Sequence, residues 1–121
     1  MLKHTKTHVV FPGDCNSMGT IFGGKLLSLI DLCCFEHSLF LLKDTECDDA
    51  VTVAFNDVSF VHGAVVGDML TITSFVKKIG IKSLTFEFEC VTMDKQVATG
   101  TCVFVARKSG IPYKHGLKNE A

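Results

Sequence analysis

The longest apolar run in the chain starts near Phe22 and ends at Leu42, with Leu, Ile, Phe and Cys at nearly every position. Such a segment is hydrophobic all round, which predicts a helix in the middle of the protein. Elsewhere the apolar residues recur at period two, which predicts strands. Lys3 to Phe11 reads as the first strand, ended by Pro12-Gly13. After a polar, acidic connection from Lys43 to Asp49, Val51, Val53 and Phe55 alternate with Thr52 and Ala54. Val58 and Phe60 fall on the opposite phase, so a bulge or a change of buried face is expected at Asn56-Asp57. His62 to Asp68 turns into a third strand, about Met69 to Lys78, and Gly80 closes a hairpin. The fourth strand alternates most cleanly, with Leu84, Phe86, Phe88 and Cys90 on one face and Ser83, Thr85, Glu87 and Glu89 on the other. Met93-Asp94-Lys95 leads into a fifth, Gln96 to Arg107, apolar on both faces and therefore central or at a subunit contact.

One strand, a long helix and then four strands joined by short turns make an α+β protein, and the short connections favour antiparallel pairing. At 121 residues the chain is read as one domain, 1–121, with 113–121 a weakly patterned and flexible tail. A single sheet on one helix leaves its other face bare, so the outer apolar residues of the last strand point to a homo-oligomer.

Composition narrows the partners. Net charge is −1 with both signs interspersed, which leaves no electrostatic footprint for nucleic acid or an anionic membrane. Asp31, Glu36 and His37 interrupt the apolar helix, so it is read as a core helix and not a membrane span. The first residues lack the apolar run of a signal peptide, and a cytoplasmic location is expected. The six cysteines show no spacing of a zinc site and are read as reduced core fillers, with Cys33 and Cys34 pointing to different sides of the helix. No metal and no cofactor are expected.

Candidate chemistry concentrates between Asp14 and Asp31. Asp31 has Leu27, Ser28, Cys34 and Phe35 as its helical neighbours, and an isolated carboxylate among such groups is costly unless it is used. Gly23 and Gly24 lower helix propensity by roughly 1 kcal/mol each, where the helix should start strongly. Either they pack tightly, or their bare first-turn amides receive a carbonyl oxygen that becomes negative during reaction. Asn16 and Thr20 precede them as loop-bracing or capping residues. A meander of strands three to five would gather Lys77, Lys78, Lys82, Arg107 and Lys108 at one end of the sheet, either as solvated strand ends or as a site for a phosphate-bearing ligand.

The segment Gly19-Thr-Ile-Phe-Gly-Gly24 followed by Leu-Leu-Ser-Leu-Ile-Asp31 resembles the signature of hotdog-fold acyl-CoA thioesterases of the cytosolic acyl-CoA hydrolase type. Val51-Thr-Val, Asn56-Asp-Val-Ser-Phe60 and Val66-Gly-Asp68 fall where that family has corresponding segments. The resemblance implies a hotdog fold, an antiparallel five-stranded sheet in the order 1-3-4-5-2 around one long helix. It also implies dimers with shared active sites that assemble further into hexamers. It implies an acyl-CoA substrate hydrolysed to CoA and a carboxylic acid, with Asp31 as general base or nucleophile. Gly23 and Gly24 amides would hold the oxyanion and Thr20 would position water or the carboxylate, with Asn16 a further contact to substrate. Lys82, Ser83, Arg107 and Lys108 would hold the CoA phosphates. Two positions depart from the family's pattern: Thr20 stands where Asn or Asp is frequent, and Gly63 where proline is. A hotdog dehydratase would need a loop histidine, and residues 12–24 contain none. A non-catalytic acyl-CoA binding or sensing module stays open as the alternative.

Overall fold

The computed structural model describes residues 2–118. Strand β1 (Lys3–Val9) passes through a 3-10 turn at Pro12–Asp14 into helix α1 (Gly23–Leu42). Strands β2 (Asp49–Phe60), β3 (Met69–Ile79), β4 (Ser83–Thr92), β5 (Lys95–Lys108) and the two-residue β6 (Ile111–Pro112) follow. All neighbours pair antiparallel in the order β1-β3-β4-β5-β2, with β6 added on β5. The first strand is shorter than expected at its end. Val10 leaves the ladder because its N–H donates to Asp68 O at 2.9 Å and its carbonyl accepts from Gly67 at 2.8 Å.

The helix lies across one face of the sheet, but its own chain does not enclose it. Leu26, Leu29, Ile30, Cys33, Cys34 and His37 are buried, whereas Leu32, Leu39 and Phe40 are 42%, 38% and 47% exposed. One sheet can cover only one side of a helix, so the all-round apolar pattern leaves an open outer face in the single chain. Two polar ties fix the helix on the sheet. The fully buried His37 pairs through Nδ1 with Ser74 Oγ at 2.7 Å, and Glu36 is held by His4 at 3.0 Å and Lys6 at 3.2 Å, both from β1. Buried polar groups left without partners would be costly, so these ties select one placement of α1.

β4 presents Leu84, Phe86, Phe88 and Cys90 to the core, all 3% exposed or less, as its alternation predicts. β5 is central, and its second apolar face, with Val103 and Val105, is half-buried. Gly100 leaves room for the Phe88 ring: a Cβ there would come within 2.6 Å of that ring and 3.1 Å of the Val58 backbone.

β2 breaks register twice, between Thr52 and Ala54 and between Asn56 and Ser59. The second irregularity is the expected one, and Asp57 takes φ +53° there. The first is a correction. Before it, even positions face the core, with Ala50 4% exposed; Val53 is 56% exposed, and Phe55 packs against the core after it. The run Val51-Val53-Phe55 is therefore not one buried face, because the extra residue at Val53 switches sides.

Tyr113 to Lys118, expected to be a flexible tail, packs back on the sheet. Tyr113 N–H donates to Ala106 O at 2.9 Å, and the buried His115 reaches Ser83 O through Nε2 at 3.1 Å. Single anchors hold this segment, so it carries no periodic pattern. Positions 119–121 lie outside the described residues.

Candidate functional site

Asp31 stands on the flank of α1 that faces β2, half-buried and not in the core. Its Oδ1 accepts a 2.6 Å hydrogen bond from Thr52 Oγ1. The bulge directly after Thr52 explains this aim, since it keeps Thr52 on the helix side while turning Val53 outward. A short bond from a hydroxyl to a carboxylate fixes the rotamer of the acceptor and leaves its second oxygen available to a ligand. Both residues line a groove of about 640 Å³ between α1 and β2, together with Lys25, Ser28, Phe35 and Phe104.

The loop before the helix is built on three side chains, Asp14, Asn16 and Thr20. Asp14 is buried and accepts from Phe11 N–H at 2.9 Å and from His8 Nε2 at 2.8 Å, with Lys25 Nζ at 3.7 Å from its other oxygen. The Phe11 amide and then His8 hold its carboxyl below the usual carboxylate range. Asn16 and Thr20 clasp each other. Asn16 Nδ2 lies 3.0 Å from Thr20 Oγ1, and Asn16 Oδ1 accepts from Met18 N–H at 3.0 Å and Thr20 N–H at 3.3 Å. Both brace the loop, and no side chain caps α1, whose N-cap is Phe22.

Gly23 and Gly24 are exposed at the first turn, and tight packing does not account for them. A Cβ on Gly23 would sit 3.9 Å from the Phe60 ring, and one on Gly24 would meet only the Phe22 ring, at 3.1 Å. Neither has positive φ. What the glycines preserve is a bare backbone with unpartnered amides, which a carbonyl oxygen can approach. Gly24 and Asp31 are seven residues apart, about 10 Å along the helix axis.

The strand-end cations do gather near the β3-β4 turn and the end of β5, but most are paired within the chain. Arg107 makes a two-pronged bond to Asp49 at 2.9 and 2.7 Å, Lys108 lies 3.4 Å from Glu46, and Lys77 lies 3.5 Å from Glu87. That bond to Arg107 holds the Asp49 carboxyl below its usual range. Among the described residues Lys78 and Lys82 form no ion pair with a carboxylate. Ser83 is spoken for at its backbone, where its carbonyl accepts from Gly80 N–H at 2.9 Å. Lys82 borders a separate groove of about 930 Å³ with Tyr113, Lys114 and His115.

The cysteines are all unpaired, and only Cys15 is not buried. Cys33 lies under β3, 3.7 Å from Ile72 O, while Cys34 meets Cys102 of β5, so the two do point to different strands. Burial pushes the Cys33 thiol up to about 11 and that of Cys90 up to about 12, which keeps both protonated and inert. Among the described residues no three His, Cys, Asp or Glu side chains converge as a metal site, and no helix is long and apolar enough to cross a membrane.

Thr52 and Lys25 are the polar groove residues that sequence reasoning missed. The only signal for Thr52 is that it is the polar residue before a break in strand phase. Lys25 is hidden because a lysine beside Gly24 reads as a solvated helix end.

Residues 18–99 match the model of the thioesterase superfamily. An uncharacterized acyl-CoA thioester hydrolase of Buchnera aphidicola subsp. Baizongia pistaciae is 30% identical over 81 residues, 67% of this chain and 57% of that protein. The chain spans about half the length of the curated relatives it matches. The acyl-CoA hydrolase of Staphylococcus aureus, solved with butyryl-CoA, CoA and CoA disulfide, is 28% identical with a TM-score of 0.77, over 93% of this chain and 68% of that one. An apo-hexameric acyl-CoA thioesterase is 29% identical with a TM-score of 0.80, over 93% of this chain and 74% of that one. One helix packed on an antiparallel sheet matches the fold of these hotdog-fold relatives, and the chain belongs to the thioesterase superfamily.

Proposed function

We infer that the protein hydrolyses acyl-CoA thioesters, with Asp31 as the carboxylate that acts on the thioester carbonyl or on the attacking water. The observation that carries this reading is the Asp31–Thr52 bond at the lip of an open groove, in a chain of the thioesterase superfamily. Thr52 holds the carboxylate in one orientation. That pre-orientation is what a general base or nucleophile needs to meet a carbonyl held in a fixed pose.

The oxyanion is held by the first-turn amides of Gly23 and Gly24. These lie about 10 Å from Asp31 in the same chain, too far to serve one carbonyl, so the amides come from a second subunit. The open outer face of α1 and the hexameric relative support a homo-oligomer whose active sites are shared. Asn16 and Thr20 then act through the loop they clasp. Of the strand-end residues expected at the CoA phosphates, Arg107 and Lys108 are already engaged by Asp49 and Glu46, and Lys82 and Ser83 stand at the Asp49 end of the sheet beside a separate groove, so none of the four carries this reading.

The test is thiol release from acyl-CoA by the parent and by Asp31→Asn. Loss of a positioned acid or base costs roughly 10² to 10⁴ in kcat, with the fold intact because Asp31 is outside the core. A folded Asp31→Asn protein that turns over at the parental rate removes Asp31 from the chemistry. Binding of acyl-CoA with no thiol release from the parent would favour the non-catalytic binding module.

A further inference from the structure

The groove beside Asp31 changes character along the helix, and the change has a direction. On the N-terminal side of the carboxylate its wall is Lys25 and Ser28, a cation and a hydroxyl, with the buried Leu29 beneath them as its one apolar residue. On the C-terminal side it is Leu32 and Phe35 from α1, faced by Ala50 and Phe104 from the sheet. Thr52 pairs with Phe104 in register, so the hydrogen-bonded Thr52–Asp31 pair stands where polar wall gives way to apolar wall. A thioester has the same division, with a polar pantetheine arm on sulfur and a hydrocarbon on the carbonyl carbon.

Resting on the hydrolase reading above, we propose that the acyl chain runs from Asp31 toward the C-terminus of α1, that Phe35 is the stop that limits its length, and that short-chain acyl thioesters are the preferred substrates. Asp31 and Phe35 are one helical turn apart, about 6 Å along the axis. With carbon–carbon bonds near 1.5 Å an extended chain advances about 1.3 Å per carbon, so about five carbons fit between carbonyl and ring. Leu39, one turn further on, is 38% exposed and lies outside the groove, so Phe35 is the last helix residue of the wall. Phe104 is 1% exposed and fixed in the core, which leaves Phe35, half-buried, as the movable end of the wall. The polar arm then lies along Ser28 and Lys25, and the Lys25 ammonium is held at that end by Asp14 at 3.7 Å.

The experiment measures calorimetric affinity of the Asp31→Asn protein for straight-chain acyl-CoAs from acetyl to dodecanoyl, with thiol release by the parent run in parallel. Burial of each methylene should tighten binding roughly three- to fourfold up to about six carbons. Beyond that the affinity should level off or fall. Phe35→Ala in the same background should carry the rise on by several carbons, with at least a tenfold gain for decanoyl-CoA and little change for acetyl-CoA. Leu32→Phe, which narrows the same wall, should weaken hexanoyl-CoA more than acetyl-CoA and is the arm that decides if Phe35→Ala does not fold. Affinity that is indifferent to chain length, that climbs through dodecanoyl in the unaltered groove, or that keeps its profile in the folded variants overturns the proposal. A chain-length profile without thiol release from the parent would instead remove the hydrolase reading and leave the acyl subsite standing.

Discussion

Thr52 Oγ1 donates a 2.6 Å hydrogen bond to Asp31 Oδ1, joining β2 to the flank of α1 across 21 residues of sequence. The bond exists because β2 is bulged at the next residue, so the geometry of a strand irregularity sets the orientation of a carboxylate on a helix.

Thr52 is a positioning residue, and its removal should show in kcat more than in KM. Thr52→Val keeps the shape and deletes the donor. A hydrogen bond to a charged group is worth about 1.5–3 kcal/mol, so kcat should drop roughly ten- to hundredfold. Thr52→Ser should recover most of it. Steady-state kinetics on the three proteins check this, with thermal melts expected to differ little because Thr52 is only half-buried. Unchanged kcat in Thr52→Val would mean that Asp31 needs no such partner.

The glycines separate a packing role from a chemical one. Gly100→Ala should destabilise the fold by about 1–3 kcal/mol, because its Cβ would press on the Phe88 ring and the Val58 backbone. Gly23→Ala should leave stability equal or slightly higher, since the Cβ has room and alanine favours helix. Activity should nevertheless fall in Gly23→Ala, because the approach to the first-turn amides is narrowed. Full activity in a stable Gly23→Ala protein would take that backbone out of the site.

Asp14 ties the loop to acid sensitivity. Its carboxyl sits below its usual range in the folded protein, so its contribution to stability is complete above the unfolded value near 4 and is lost as pH falls through the lower folded value. Asp14→Asn should therefore melt several degrees below the parent at pH 7. The gap should begin to narrow as pH drops below about 4 and close only below the lower folded value, where the parental carboxyl is protonated too. Melting curves from pH 3 to 7 measure this, and a gap that stays constant over the range would show that the charge is not what holds Phe11, His8 and Lys25 together.

Mixed subunits test whether the site is shared. Asp31→Asn and Gly24→Phe chains should each be inactive alone. Refolded together they form dimers in which one site carries both lesions and one carries neither, so an equal mixture should recover about a quarter of parental activity. Verified mixed dimers that stay inactive would place the whole site in one chain.

The residue pattern by itself determined a helix from about Phe22 to Leu42 and five strands of the sheet, because burial on a helix or a pleated strand imposes periods that survive in the sequence. The clean alternation of Leu84, Phe86, Phe88 and Cys90 needed nothing else. Three things were decided only by tertiary structure. The phase of β2 was hidden because Val53 is as apolar as a core residue and is nonetheless turned outward by a bulge, which also concealed Thr52. The fate of the cations was hidden because Arg107 and Lys108 meet Asp49 and Glu46 across 58 and 62 residues of sequence, a pairing that strand register creates and local pattern does not record. The open side of α1 was hidden because an all-round apolar helix reads the same whether its second face is covered by its own chain or by another, and a single sheet has only one face to give it.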